Sequence, residues 1–203
     1  MRTREKKCIL ATRNKGKIRE FQRLFSDIGL EVLSLGELGS PPDVVEDGNS
    51  FHENAFKKAR TIAEHYGILA VSDDSGLEVD ALGGAPGVHS ARYAGEGATD
   101  QENNQKLLEA LKGVDESGRH ARFRCVMVAY RPDGKWIEAE GTLQGIITLE
   151  PRGYKGFGYD PIFYVPELGK TLAEISTDEK NRISHRANAL KKLHKKLAEL
   201  LEL

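Results

Sequence analysis

Ser72-Asp73-Asp74-Ser75-Gly76 follows directly on the apolar run Ile68-Leu-Ala-Val71. A short apolar run bounded by polar residues reads as a buried strand. The chain must therefore place two adjacent carboxylates at a strand end, although they repel each other. Two readings meet that demand. A hard cation such as Mg²⁺, often held by one or two carboxylates plus substrate phosphates, neutralises the pair. Alternatively, the segment is an acidic turn for which Ser75 and Gly76 supply the geometry.

The rest of the chain narrows the class of protein. Its 203 residues suffice for one domain, 1–203, with a substantial core, built as one body or two small lobes. A net charge of −1 gives no global attraction to nucleic acid or to an acidic membrane surface. Cys8 and Cys125 are too few for a disulfide framework, and each sits in an apolar run as a small hydrophobe. No run is long enough to span a bilayer, and the first residues lack the apolar stretch of a signal peptide. The expected location is the cytoplasm.

Periodicity then sets the elements. Cys8-Ile-Leu-Ala11 reads as a buried strand. Ile18, Phe21, Leu24, Phe25 and Ile28 follow helical spacing up to Gly29, and Glu31-Val-Leu-Ser34 reads as a second strand. Ser50 and Glu53 form a capping-box signature opening a helix to Tyr66, with Ala55, Ala59, Ile62 and Ala63 inward and Gly67 as its stop. A strand from Ile68 to Ser72 leads into the acidic turn, and a further strand is expected over Leu77–Leu82. Thr99 and Glu102 open another helix, to about Lys112. Ala121–Tyr130 and Lys135–Ile147 read as strands joined by the turn Arg131-Pro-Asp-Gly134. A last helix starts near Ser184 with Leu190, Leu193, Leu197 and Leu200 as its apolar stripe; Lys191, Lys192, Lys195 and Lys196 form a solvated face. Alternating strands and helices followed by a hairpin predict an α/β fold with a mixed sheet flanked by helices.

Besides the acid pair, three segments carry chemistry. Thr12-Arg13-Asn14-Lys15-Gly16-Lys17 joins a strand to a helix N-terminus, where unsatisfied backbone N–H groups and the helix dipole favour an anion; its spacing is not that of a Walker A loop. Glu46 is placed to join the acids at a metal, whereas Glu53 is accounted for by capping. Phe157-Gly158-Tyr159-Asp160 closes a glycine-rich loop, either a ligand loop with aromatic stacking faces or a tight loop with its aromatics in the core. Lys180, His185 and Arg186 cluster around the start of the last helix, where cations are disfavoured unless something polar or anionic meets them.

Thr12-x-Asn14-x-x-Lys17-x-x-Glu20, Phe51-x-Glu53-Asn54-Ala55-x-x-Lys58-Ala59 and Asp73-Asp74-Ser75-Gly76-Leu77 occur in that order. They are followed by Gly84-Ala-Pro-Gly87, Ser90-Ala-Arg-Tyr93, Gly156-Phe-Gly-Tyr-Asp-Pro161 and Ser184-His-Arg186. Together the segments resemble the inosine triphosphate pyrophosphatase, or Ham1-like, family over nearly the whole chain. The resemblance implies an elongated mixed sheet, two lobes with the active-site cleft between them, and a homodimer. It also implies Mg²⁺-dependent hydrolysis of ITP, dITP and XTP to the monophosphate and pyrophosphate. By that resemblance Thr12, Arg13, Asn14, Lys15, Gly16 and Lys17 hold the triphosphate, and Arg13 is bulkier than its usual counterpart. Asp74 is the general base and, with Glu46, a metal ligand; Asp73 supports it. Lys58, Ser75 and Lys180 contact phosphate or sugar, and Phe157, Gly158, Tyr159, Asp160, His185 and Arg186 form the base pocket. Competing readings are a Maf-like pyrophosphatase of different base preference and a nucleotide-binding regulator without turnover.

Overall fold

The computed structural model describes residues 7–14, 17–18, 21–22 and 30–200, the side chains at 198 and 199 excepted. Seven strands form a mixed sheet: β1 (Lys7–Leu10), β2 (Glu31–Ser34), β3 (Ala70–Val79), β4 (His120–Tyr130), β5 (Trp136–Ile147), β6 (Phe163–Val165) and β7 (Lys170–Thr171). Their order is β2-β1-β3-β4-β5-β6-β7. β1 runs parallel to β2 and to β3, while β6 is antiparallel to β5 and β7. Parallel neighbours need a crossover connection, and β2 reaches β3 through helix α1 (Phe51–Tyr66). The other helices are α2 (Asp100–Ala110), α3 (Thr177–Ile183) and α4 (His185–Leu200).

The chain divides into two compact units. One comprises Met1–Asp74, Cys125–Gly141 and Ala187–Leu203, and the other Ser75–Arg124 and Thr142–Arg186. In the first unit, Leu190, Leu193, Leu197 and Leu200 of α4 pack against Cys8, Leu10, Val71, Cys125 and Met127. Strand alternation sends Ile9, Ala70 and Ser72 the other way, and the Ser72 hydroxyl donates to the Ala55 carbonyl on α1. Ala55, Ala59, Ile62 and Ala63 are buried as their spacing requires, and Gly67 ends α1 at φ +67°. The lysines at 191, 192, 195 and 196 are exposed. In the second unit Leu77, Val79, Leu107, Phe123, Ile147, Ile162 and Phe163 form a separate core.

Several expectations hold closely. The Arg131–Gly134 turn closes with Gly134 N donating to Arg131 O at 3.0 Å, and Thr99 and Glu102 form a capping box. Lys17, Ile18, Phe21 and Gln22 are helical; Leu24, Phe25, Ile28 and Gly29 lie outside the described residues. One expectation fails. No turn interrupts Ala70–Val79: β3 continues through Asp73 and Asp74, and Asp80–Leu82 is a short 3₁₀ turn rather than strand. The backbone stays extended because the partners described below neutralise both acids within the sheet, so exposing them in a turn gains nothing. Further along β3, Glu78 is paired with Arg122 at 2.5 Å.

Candidate active site

Alternation along β3 decides what each acid meets. Asp73 shares a strand face with Val71; its Oδ2 lies 2.9 Å from Lys17 Nζ and 4.0 Å from Cys125 Sγ. Asp74 projects from the opposite face. There Asn54 Nδ2 donates to Asp74 Oδ2 at 3.0 Å, and Lys58 Nζ stands 4.0 Å from Oδ1. Lys58 Nζ also donates to Glu46 Oε2 at 2.7 Å and to the Asp73 carbonyl at 2.8 Å. One buried ammonium thus joins both members of the acid pair and the loop carboxylate.

The local sequence explains this convergence. Asn54 and Lys58 lie one turn apart on α1, beside the buried Ala55 and Ala59. Ser50 caps the helix by accepting from Glu53 N at 3.1 Å, and Glu53 reaches back to Asn49 N at 2.7 Å. Half of the predicted capping box is thus present: Ser50 caps the helix, whereas the Glu53 carboxylate meets Asn49 N rather than Ser50 N. Gly48 N donates to Asn54 Oδ1 at 2.8 Å, and a Cβ on Gly48 would stand 2.7 Å from that oxygen. The approach that orients the Asn54 amide toward Asp74 thus requires glycine.

Burial pushes the Asp74 carboxyl above its ordinary pKa; Lys58, Lys17 and the Asn54 hydrogen bond oppose the rise, and Glu46 adds to it. Burial also works against the Lys58 charge, but Asp73, Asp74 and Glu46 outweigh it and hold that ammonium above the usual lysine value. A carboxylate with a raised pKa beside fixed cations is better suited to accepting a proton than an ordinary aspartate.

In the strand-to-helix segment, Thr12 and Asn14 bond nearby backbone groups. Thr12 Oγ1 accepts from Asn14 N at 3.2 Å, and Asn14 Oδ1 accepts from Lys17 N at 3.1 Å, capping the helix entry. Arg13 is exposed and paired with Asp43 at 2.6 Å. Lys15 and Gly16, and Glu20 of the first motif, lie outside the described residues.

In the second unit, Asp160 organises the glycine-rich loop. Its Oδ2 accepts from Phe157 N at 2.9 Å and from Lys180 Nζ at 2.7 Å. Lys180 Nζ lies 4.6 Å from the centroid of the Phe157 ring, and Arg186 Cζ lies 5.4 Å from it. His185 stacks on Phe123 at 4.8 Å and 11°. Lys180, His185 and Arg186 are all at least 95% buried, an unusual setting for three basic side chains. Phe157, Asp160, Lys180 and Arg186 form one cluster. Of the two readings of the glycine-rich loop's aromatics, Tyr159 takes the core one. Its ring lies in the apolar core, burial pushes its phenol pKa up, and its hydroxyl donates to Ser90 O at 2.8 Å. Only its backbone remains for a ligand. Ser75, the residue after the acid pair, is half-buried on β3.

Sequence reasoning missed Asn54 as a site residue and missed α3 altogether. The signal for Asn54 was a polar side chain on an otherwise apolar helix face. For α3 it was Ser176 and Glu179, which form a capping box. Among the described residues no three His, Cys, Asp or Glu side chains are grouped to hold a metal, and no helix is long and apolar enough to cross a membrane.

The chain as a whole is similar to known proteins. The family model described as "Ham1 family" matches residues 8–196. The dITP/XTP pyrophosphatase of Desulforamulus reducens is 54% identical over 186 residues, covering 92% of each chain. That of Bacillus subtilis is 50% identical over 192 residues, covering 95% of this chain and 97% of its own. Among solved structures, the Staphylococcus aureus Ham1 protein superposes with a TM-score of 0.85 at 43% identity, covering 96% of this chain and 99% of its own. A Coxiella burnetii HAM1 protein gives 0.86 at 46%, covering 95% and 98%. With this agreement spanning nearly its whole length, the chain belongs to the Ham1 family.

Proposed function

We propose that this protein hydrolyses non-standard purine nucleoside triphosphates (ITP, dITP and XTP) to the monophosphate and pyrophosphate, with Asp74 as general base. The reading rests chiefly on the arrangement of Asp74, an acid of raised pKa held by Asn54 beside the buried Lys58. The relatives named for that activity support it.

Cleaving a phosphoanhydride demands charge neutralisation and an oriented water more than covalent chemistry. Asp74 takes a proton from water as the water oxygen bonds to phosphorus. The anhydride P–O bond between the α- and β-phosphates breaks, and its electron pair stays on the bridging oxygen, so that the monophosphate and pyrophosphate separate. Lys58 and Lys17, held in place by the acids, balance the phosphate charge. Thr12, Asn14, Lys15, Gly16 and Ser75 hold the chain of phosphates, with Arg13 at the rim. Mg²⁺ is the proposed cofactor. Glu46 and Asp74 are hard oxygen donors converging on one ammonium, and a pair of carboxylates suffices where substrate phosphates supply further ligands. Bound there, the ion would offset phosphate charge.

The base falls to Phe157, Gly158, Tyr159, Asp160, His185 and Arg186, and Lys180, paired with Asp160, faces the sugar or phosphate. Hypoxanthine and xanthine present a 6-oxo acceptor where adenine presents an amine. Buried donors meet the former and leave the latter unsatisfied, at about 1–3 kcal/mol per mismatched group. Two such mismatches give roughly 30-fold discrimination or more. The enzyme would act in the cytoplasm as a homodimer, and a monomeric mass by sedimentation would remove the dimer.

Pyrophosphate release from a panel of triphosphates, with and without Mg²⁺, tests the reading. Turnover of ITP and XTP with little from ATP is expected. Preference for a pyrimidine triphosphate, or tight binding without product, would overturn it.

A further inference from the structure

We propose that Asp100 and Asn104 are positioning residues that set the selectivity of the base pocket by clamping both peptide groups of Gly158; the selectivity part rests on the base-pocket reading above. The two side chains lie one turn apart on α2 and face the same way. Asp100 Oδ2 accepts from Gly158 N at 2.7 Å, and Asn104 Nδ2 donates to Gly158 O at 3.1 Å. One side chain offers only acceptors and the other a donor, so the pair matches the polarity of the glycine it holds.

The clamp acts on the residue that needs it. Gly158 sits at φ +63°, and a Cβ there would meet nothing within 4 Å. Glycine is thus present for its left-handed backbone, a conformation with a broad well that external bonds must narrow. From the other side, Asp160 Oδ2 accepts from Phe157 N at 2.9 Å. The N–H groups of Phe157 and Gly158 are therefore taken by carboxylates on different elements. Together these bonds fix the peptide planes flanking Phe157 and the direction of its ring toward Lys180 and Arg186.

Two further observations separate this from ordinary loop packing. The loop borders a pocket of about 910 Å³ lined in part by Asp100, Asn104, Gly156, Phe157 and Gly158. On that side its backbone is held by direct hydrogen bonds to Asp100 and Asn104. Asn104 is 7% exposed, and its Oδ1 has no hydrogen-bond partner among the described residues. Burying that acceptor is unfavourable, and a leucine of similar size would avoid it. The amide is retained for what its nitrogen does at Gly158.

The test compares Asn104→Leu, Asp100→Ala and the conservative Asp100→Asn in the full chain, against wild type. Amide hydrogen exchange over residues 156–160 reads the clamp without reference to catalysis. Exchange about 10-fold faster in Asn104→Leu and Asp100→Ala is expected, with Asp100→Asn close to wild type. Steady-state kinetics read its consequence: KM for ITP up roughly 10-fold, kcat within about threefold, and the ITP-to-ATP ratio of kcat/KM narrowed about 10-fold. Unchanged exchange overturns the clamp whatever the kinetics. Faster exchange with unchanged KM and ratio overturns its link to selectivity, as does a parallel fall of kcat and melting temperature. A wild-type enzyme without ITP preference sinks the base-pocket reading, and the selectivity role with it, before any variant is measured; the exchange result still decides the clamp.

Discussion

Replacing Lys180 with methionine removes the cation from a buried ion pair and leaves its partner in place. Asp160 and Lys180 are 2% and 5% exposed and lie 2.7 Å apart. Deleting one member of such a pair typically destabilises by about 3–5 kcal/mol, because an uncompensated charge stays buried. A ceiling follows from proton uptake. A carboxyl starting from an ordinary pKa near 3.9 can be neutralised at pH 7 for about 4 kcal/mol, and at pH 5 for about 1.5 kcal/mol. The expected deficit is therefore roughly 3–4 kcal/mol at pH 7, shrinking to about 1.5 kcal/mol at pH 5. With an m-value of about 2 kcal/mol/M, the urea midpoint should fall by ~1.5–2 M at neutral pH and by less than ~1 M at pH 5. Adding Asp160→Asn removes the stranded charge and should recover much of the loss, giving a coupling term in a double-mutant cycle. A deficit below about 1 kcal/mol at pH 7, or one that does not shrink on acidification, would refute the reasoning.

Asp74→Asn should abolish turnover while leaving the circular dichroism spectrum and melting temperature near wild type; retained turnover removes Asp74 as base. Gly156→Ala places a Cβ 2.0 Å from Asp160 Oδ2 at φ +78°, and left-handed strain alone costs about 1–2 kcal/mol. With the displaced Asp160 contacts, a loss of at least ~2 kcal/mol is expected in urea unfolding, and a loss under ~0.5 kcal/mol contradicts the packing described. The capping carboxyls of Glu102 and Glu179 are held below their ordinary pKa by backbone and hydroxyl donors at Thr99 and Ser176. Their stabilisation is present above the unfolded glutamate value and disappears as pH falls through the lower folded one. Melting temperatures of Glu102→Gln and Glu179→Gln should thus lie below wild type at pH 7 and converge with it in acid.

Elements governed by neighbours in sequence were legible. The Thr99–Glu102 box, the Arg131–Gly134 turn and the leucine stripe of α4 all depend on contacts within a few residues. Asp73-Asp74 misled because its compensation is not local. The lysines that let the acids remain in an extended strand arrive from positions 17 and 58, and no window around residue 73 contains them. Tyr159 was ambiguous for a similar reason. An aromatic in a glycine-rich loop reads alike as a stacking face or a core plug until the Ser90 carbonyl is seen at its hydroxyl. The pairing of Lys180 with Asp160 was likewise invisible across 20 positions, though both residues were expected at the site.

The unbroken course of β3 ties chemistry to strand alignment. Asp73 and Asp74 have the same side chain, and only the face on which each emerges distinguishes them. That face is set where Ile9 pairs with Ala70 and Leu10 with Val71. Sliding β3 by one residue would exchange the two faces, sending Asp74 toward Cys125 and Lys17 and Asp73 toward Asn54 and Lys58. The residues that hold β1 and β3 in step thereby determine which aspartate meets Asn54 and Lys58, although none of them is polar.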